Sequence, residues 1–310
     1  MLVQKFNSFR RDVNFSSVIG IGKFDGLHVG HQKIISSILK ISKKIGATPS
    51  MFIIKNYPTS FVLMEWEQKI KMIEKSGIEV CLWADFKDIK FLSDTEFLEK
   101  LYLLLNFKAV CVGSNFKFGH NRSGDIDYLN KWAGQKGVSV HLHSPVRVEG
   151  RIVSSTVIKE LISRADFKMV RRMLGRWYGV AGLCIHGYRI GRMIGFPTIN
   201  LELKNWNSPL SHGVYICVVK KNEQFYKGVL FYGKSETFGL PVSFEIHIID
   251  SNIPDTYGDD FFVFPLKKIR QVRKFQSASN LVERIKKDII EAKNFFSEFN
   301  LTEFKKECKI

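Results

Sequence analysis

Along the first 143 residues, apolar positions alternate between two spacings. The short runs "SSVIGIG" (16–22), "SMFIIK" (50–55), "IEVCLW" (78–83), "KAVCVG" (108–113) and "VSVHLH" (138–143) are apolar or β-branched and read as strands. Between them, residues 31–46, 65–77, 93–106 and 124–137 carry apolar side chains at helical spacing. The first of these helices ends on Gly46, and the third opens on Ser93 as a cap. Strands alternating with helices imply right-handed crossovers and an open, doubly wound parallel sheet covered on both faces. Ligands of such sheets bind beyond the carboxyl ends of the strands.

After about residue 175 the texture changes. Apolar runs at 176–187, 213–220, 224–233, 241–250 and 259–268 follow one another without helices between them, and Gly, Pro, Asn and Ser turns separate them. This predicts an antiparallel sheet closed into a small β-barrel. The amphipathic stretch 277–299 predicts a terminal helix against it. The expected organisation is an α/β domain over 1–170 and a β-barrel domain over 171–310, with a tight boundary near 168–176.

Composition agrees with two filled cores. The chain has 310 residues, 45% hydrophobic and 25% charged. No run approaches the roughly 18 apolar residues of a membrane span, and "MLVQKFNSFRRDVNF" lacks the apolar core of a secretory signal. Five scattered cysteines, four inside apolar runs, predict buried free thiols in a reducing cytoplasm. The net charge of +17 invites a nucleic-acid reading. The densest basic clusters, 167–176 and 266–274, lack the interleaved aromatics of a base-stacking surface. Lysine-rich solvated faces and cationic pockets for phosphorylated small molecules explain the charge better. Neither a membrane nor a nucleic acid is expected as partner, and a homo-oligomer stays open.

The stretch "GKFDGLHVGH" (22–31) runs from a strand end through a glycine loop into a helix start. Helix starts gather unpaired N–H groups and partial positive charge, so they bind anions. His28 and His31, three residues apart, point the same way and offer a phosphate two donors. Two histidines are too few for zinc, with no carboxylate or thiol at a helical offset. Capping of the turn is the bland alternative, and "GKFDG" beside the pair favours the phosphate. Further on, "HGYRIGRMIGFPTINL" (186–201) offers glycines, Arg189, Arg192, and the oxygens of Thr198 and Asn200. By itself it fits either a phosphate loop with Mg²⁺ ligands or an ordinary hairpin.

"GKFDGLHVGH" resembles the G-x-F-D-G-x-H-x-G-H motif of the nucleotidyltransferase superfamily, and specifically of the bacterial bifunctional riboflavin kinase/FAD synthetase family. "VGSNFKFGHNRSGD" (112–125), "SSTVIKELI" (154–162), the 174–201 segment, "GVYICVV" (213–219), "FEIHIID" (244–250), "YGDDFFVF" (257–264) and 269–288 agree in order, over nearly the whole chain. The resemblance implies an N-terminal domain that transfers AMP from ATP to FMN and a C-terminal barrel that phosphorylates riboflavin with Mg²⁺ and ATP. It implies that His28 and His31 stabilise the phosphates. It also implies that Gly22, Phe24, Asp25, Gly30, Asn115, Ser154, Ser155, Thr156 and Lys159 hold that ATP or its flavin partner. In the barrel it implies Gly187, Gly191, Arg192, Gly195 and Pro197 around a second ATP, Thr198 and Asn200 as Mg²⁺ ligands, and Glu245 as general base. Riboflavin, FMN and FAD are then substrates and products.

Four positions depart from the family pattern. Lys23 stands where Asn is usual and Lys55 where an acid is usual. Lys159 replaces an arginine, losing its bidentate fork, and Glu236 replaces a proline in a barrel loop. A riboflavin kinase with an altered or lost adenylyltransferase half is therefore the second expectation, and a nucleotide- or nucleic-acid-binding protein on the same fold is the third.

Overall fold

The structure, a computed structural model, describes residues 1–9, 15–58, 61–203, 209–251, 253 and 257–308. It divides into two compact units, Met1–Ser60 with Trp66–Ser155, and Phe61–Glu65 with Thr156–Ile310. The division falls after Ser155, earlier than the expected 170/171. The following helical segment belongs with the barrel because its apolar face packs there: the Phe167 ring lies 6.1 Å from that of Tyr215.

The first unit contains β1 (Leu2–Lys5), β2 (Ser17–Gly22), α1 (Val29–Ile45), β3 (Thr48–Lys55), α2 (Trp66–Lys75), β4 (Val80–Asp85) and the single turn α3 (Phe86–Ile89). It continues through α4 (Asp94–Leu105), β5 (Phe107–Gly113), α5 (Ile126–Lys136), β6 (Ser139–His143) and the ribbon β7 (Arg147–Val148) with β8 (Arg151–Ile152). Its sheet has the order β1-β4-β3-β2-β5-β6, parallel throughout. The predicted doubly wound sheet is present. The chain leaves β2 toward β3 and β4 on one side, then returns to β5 and β6 on the other. The carboxyl ends of β2 and β5 therefore flank the switch point where such sheets bind ligands. Gly46 ends α1 at φ 68°, and a capping box between Ser93 and Glu96 opens α4, as the sequence pattern requires. Ile19, Phe52, Leu82 and Val110 of the strands pack with Leu98, Leu101 and Trp132 of the helices. β1 is an unexpected sixth strand. It has four residues, only one buried edge to pair with, and too little alternation to read.

The second unit contains α6 (Ser155–Ser163, its first residue at the division), α7 (Phe167–Leu174), β9 (Val180–Ile185), the single turn α8 (Ile190–Met193), β10 (Ile199–Leu203) and β11 (Gly213–Lys221). After these come β12 (Gln224–Ser235), β13 (Leu240–Ile248), β14 (Asp260–Arg270), α9 (Ala278–Glu298) and α10 (Leu301–Glu307). The six strands close into an antiparallel barrel in the order β10-β13-β12-β11-β14-β9. Alternation sorts each strand between lumen and outer face. Val214, Ile216 and Val218 pack outward beneath Ala292 and Phe296 of α9 and Phe304 of α10. Tyr215 and Cys217, one residue out of phase, are fully buried on the lumen side.

α9 is tied to the barrel by charge as well as packing. The Asp288 carboxylate is 1% exposed and accepts from Arg270 Nε (2.9 Å) and Nη2 (2.8 Å) and from Arg284 Nη2 (2.8 Å). Removing the acid leaves two guanidinium groups facing each other in a partly dry site. Asp288→Ala is expected to cost about 3–5 kcal/mol of stability in urea unfolding of the full chain. A loss below about 1 kcal/mol would show that the triad behaves as a surface ion pair.

Candidate functional site

At the switch point, β2 ends on Gly22 and a tight turn leads into α1. Phe24 (φ 48°), Gly26 (φ 80°) and Leu27 (φ 41°) all adopt left-handed backbone. For the two non-glycine residues this costs about 1–2 kcal/mol each. Burial of both side chains, 2% exposed, offsets the cost, as does Gln32 Nε2 donating to the Leu27 carbonyl at 2.9 Å. The turn places the Phe24 ring 5.1 Å from that of His31.

His28 is the N-cap of α1, so the helix opens before the expected residue 31. Its Nδ1 accepts the His31 backbone N–H at 3.4 Å, and the two imidazoles stack at 3.6 Å with 16° between planes. Capping and anion binding are thus compatible. An accepting Nδ1 leaves the proton of a neutral ring on Nε2, a donor directed away from the helix it caps. Gly30 makes room for the stack, because a Cβ there would lie 3.2 Å from His28 Nδ1 and Cε1.

Gly22, Phe24, Asp25, His28, Gly30 and His31 therefore form one continuous structure, and Ser155 Oγ joins it by donating to the Asp25 carbonyl at 2.9 Å. Ser154 directly precedes Ser155. Asn115 lies just past the end of β5, with Oδ1 3.2 Å from where a Gly113 Cβ would stand. Thr156 and Lys159 fall in the second unit, where Lys159 Nζ donates to the Phe61 carbonyl. The two departing lysines of the first unit sit over aromatic rings. Lys23 Nζ is 3.8 Å from the Tyr57 centroid, and Lys55 Nζ is 4.8 Å and 5.0 Å from those of Trp66 and Trp83. Such contacts hold an ammonium in place by about 0.5–1 kcal/mol at exposed sites.

In the second unit, β10 pairs with β13 so that Asn200 stands opposite Glu245. Phe244 and Ile246 are buried in the lumen, at 1% and 0% exposure, so Glu245 faces outward. That outward face is a cleft. Glu245 Oε1 accepts from Ser243 Oγ at 2.7 Å and Oε2 from Thr198 Oγ1 at 3.2 Å. The cleft around Glu245 is walled by Phe196, Phe231, Phe238 and Phe275 and by Leu281 and Ile285 of α9. A second, more polar cleft is lined by Gly187, Arg192, Pro197, Asn200 and Tyr257. The two share Arg189, Thr198 and His247. Gly187 and Gly191 are close-approach glycines. A Cβ at Gly187 would fall 2.2 Å from Asn200 Nδ2, and one at Gly191 would fall 2.3 Å from the Phe196 carbonyl oxygen. Gly195 has open space around it but needs φ 86°.

The hydroxyl of Thr198, the amide oxygen of Asn200 and the carboxylate of Glu245 are hard oxygen donors, which fits Mg²⁺ arriving with nucleotide phosphates. Among the described residues there is no group of three or more His, Cys, Asp or Glu that could cage a metal unaided.

Several residues here escape a reading of the sequence. Ser243 shares the Glu245 face two residues away, a signal that alternation carries. His247, whose Nδ1 meets the Pro197 carbonyl at 2.9 Å, shares it too. The stack of His186 on Tyr257, 3.6 Å apart, joins positions 71 residues distant and leaves no local trace. Glu236, the loop departure, lines the apolar cleft.

Residues 11–157 match the family model for FAD synthetase, and residues 174–296 the one for riboflavin kinase. A bifunctional riboflavin kinase/FMN adenylyltransferase of Buchnera aphidicola subsp. Schizaphis graminum is 31% identical over 303 aligned residues, covering 93% of this chain and 96% of the relative. One of the same description from Haemophilus influenzae is 31% identical over 290, covering 89% and 93%. A crystal structure described as a macrolide-efflux protein from Streptococcus pneumoniae superposes with a TM-score of 0.83 at 26% identity, over 95% of this chain and 99% of that one. Among the described residues no helix is long and apolar enough to cross a membrane.

The glycine geometry separates two kinds of constraint. Gly191→Ala forces a methyl onto a backbone oxygen and is expected to cost about 1–3 kcal/mol. Gly195→Ala meets only the left-handed backbone penalty, about 1 kcal/mol. Thermal unfolding of both variants checks the order, and a larger loss for Gly195→Ala would contradict it.

Proposed function

The chain belongs to the bifunctional riboflavin kinase/FMN adenylyltransferase family, and we propose that its two compact units divide the two reactions between them. The second unit phosphorylates riboflavin to FMN with ATP. The first transfers AMP from another ATP to FMN, giving FAD. Matches to both family models support this over a kinase that has lost adenylyl transfer. Five buried free cysteines and the use of ATP support a cytoplasmic location.

One observation carries the kinase assignment: Glu245, in the apolar cleft, is held by two hydroxyls, and one of them, Thr198, also lines the polar cleft. The flat flavin ring suits the phenylalanine-walled cleft, and the triphosphate suits the polar one beside Gly187, Arg192 and Asn200. Glu245 takes the proton of the riboflavin 5′-hydroxyl as that oxygen attacks the γ-phosphorus. The bond to the β-phosphate oxygen breaks, and ADP leaves. Ser243 and Thr198 fix the carboxylate so that one lone pair faces the hydroxyl. Mg²⁺, which Thr198 and Asn200 would hold, supplies neutralisation of the phosphate charge.

Adenylyl transfer has different needs. A phosphate oxygen of FMN attacks the α-phosphorus and pyrophosphate departs, with no hydroxyl proton to remove. The stacked His28 and His31 and the start of α1 supply donors where negative charge grows. Ser155, at the start of α6 and bonded to the Asp25 carbonyl, braces the turn that presents them.

The two activities are expected to separate. Glu245→Gln should lower riboflavin phosphorylation by about 10²–10⁴-fold while FMN is still converted to FAD. His28→Ala with His31→Ala should do the reverse, as read by chromatographic separation of the flavins. Loss of both activities in each variant would contradict two independent sites. Ser243→Ala removes one hydrogen bond to a charged group. It should lower kcat for phosphorylation about 10–100-fold at unchanged KM for ATP, and Ser243→Thr should restore most of it. A rise in KM for ATP without a fall in kcat would place Ser243 with the nucleotide instead.

A further inference from the structure

The far strand of the first unit carries a histidine, His143, that neither reaction above employs. β5 and β6 pair in register, Cys111 with His141 and Gly113 with His143. Residues paired this way present their side chains on one face. Cys111 Sγ lies 3.8 Å from Ser37 Oγ of α1, so that face is the one α1 covers. Lys33 precedes Ser37 by one helical turn, about 6 Å, and Gly113 follows Cys111 by about 6.6 Å of strand. With α1 running against the strands, Lys33 comes level with His143, just behind the helix start that carries His28 and His31.

The His143 Nε2 is buried, and among the described residues it has no hydrogen-bond partner. Burial foremost, and then the neighbouring charges of Lys33 and His141, hold the ring below its ordinary pKa, so it is neutral near pH 7. A buried ring nitrogen left unpaired costs about 1–3 kcal/mol. At the ligand-binding edge of a sheet, a ligand is the partner that removes this cost. Gly113, which pairs with His143, has no side chain of its own, and the Asn115 amide oxygen comes within 3.2 Å of where its Cβ would stand.

The position of β6 limits which part of a ligand reaches it. β6 is two strands from β2, about 9.6 Å, while the phosphate donors cluster where β2 runs into α1. An extended nucleotide with its phosphates there is long enough for its uncharged end to reach β6. A neutral imidazole also matches a heterocycle better than a phosphate, since its ring nitrogens offer one donor and one acceptor. Adenine presents an amine at C6, where guanine presents a carbonyl oxygen. With its proton on Nδ1, His143 accepts at Nε2, which welcomes the first and repels the second.

We propose that His143 holds the base of the ATP used in adenylyl transfer and sets the preference for adenine over guanine at that site. This rests on the adenylyltransferase reading given above. The test compares ATP with GTP as donor to FMN, using the full-length wild type, His143→Ala and His143→Gln. Riboflavin phosphorylation in the same chain reports folding. His143→Ala should raise KM for ATP about tenfold with little change in kcat. It should reduce the ATP-over-GTP ratio of kcat/KM by a similar factor, and leave riboflavin phosphorylation as it was. His143→Gln, which keeps an acceptor near the Nε2 position, should recover part of the ratio. An unchanged ratio in a variant that still phosphorylates riboflavin overturns the assignment, and His143→Gln serves for that comparison if His143→Ala does not fold. Failure of the wild type to make FAD from FMN and either nucleotide overturns the adenylyltransferase reading itself.

Discussion

The pairing of Asn200 with Glu245 across β10 and β13 is the constraint on which the kinase site depends. Side chains on a strand alternate, so a slip of one residue would turn Glu245 into the lumen and expose Phe244 and Ile246. Burial of those two side chains fixes the register, at about 1.5–3 kcal/mol each. The apolar lumen thus aims a carboxylate outward without any contact of its own with a substrate. Ser243 and His247 follow from the same register, one on either side of the base. The outer face becomes a cleft because α9 lies along it, and the Asp288 triad holds α9 there. Core packing, one register and one buried acid together produce a positioned base.

The first unit reaches its site by another route. Parallel strands end together, and the change of direction at β2 leaves a crevice that loops must line. The chain fills it with a strained turn whose Phe24 and Leu27 are anchored by burial, so that two imidazoles stack at the head of a helix. The contrast with the barrel follows the chemistry. A hydroxyl nucleophile must lose a proton, and there the chain places a carboxylate between two hydroxyl donors. A phosphate nucleophile has no such proton, and there it places imidazoles and helix N–H groups. Lys23 and Lys55, which depart from the family pattern, rest over Tyr57, Trp66 and Trp83, so each added charge is held by the local aromatic surface.

Much of this was legible in the residues. Buried strands such as 108–113 and helices with clear ends, at Gly46 and Ser93, declare themselves through local spacing. The outward direction of Glu245 follows from its apolar neighbours. Whether that face meets solvent or a cleft depends on α9, more than thirty residues later, which local periodicity does not contain. β1 and β10 were hidden for a simpler reason. The first is four residues at a sheet edge, and the second is five residues behind a Gly- and Pro-rich loop, both too short for a pattern. The stacking of His28 on His31 was foreshadowed by their spacing. The positive φ at Phe24 and Leu27 was not, because tertiary burial imposes it against the preference of both residues.

We infer that one chain carries two separate phosphorus-transfer sites acting in sequence on a flavin. Purified full-length protein incubated with riboflavin, Mg²⁺ and ATP, with the flavins separated over time, tests it most directly. FMN is expected to rise first and then to fall as FAD accumulates. FMN as the sole product, even when FMN is supplied at the start, would contradict it.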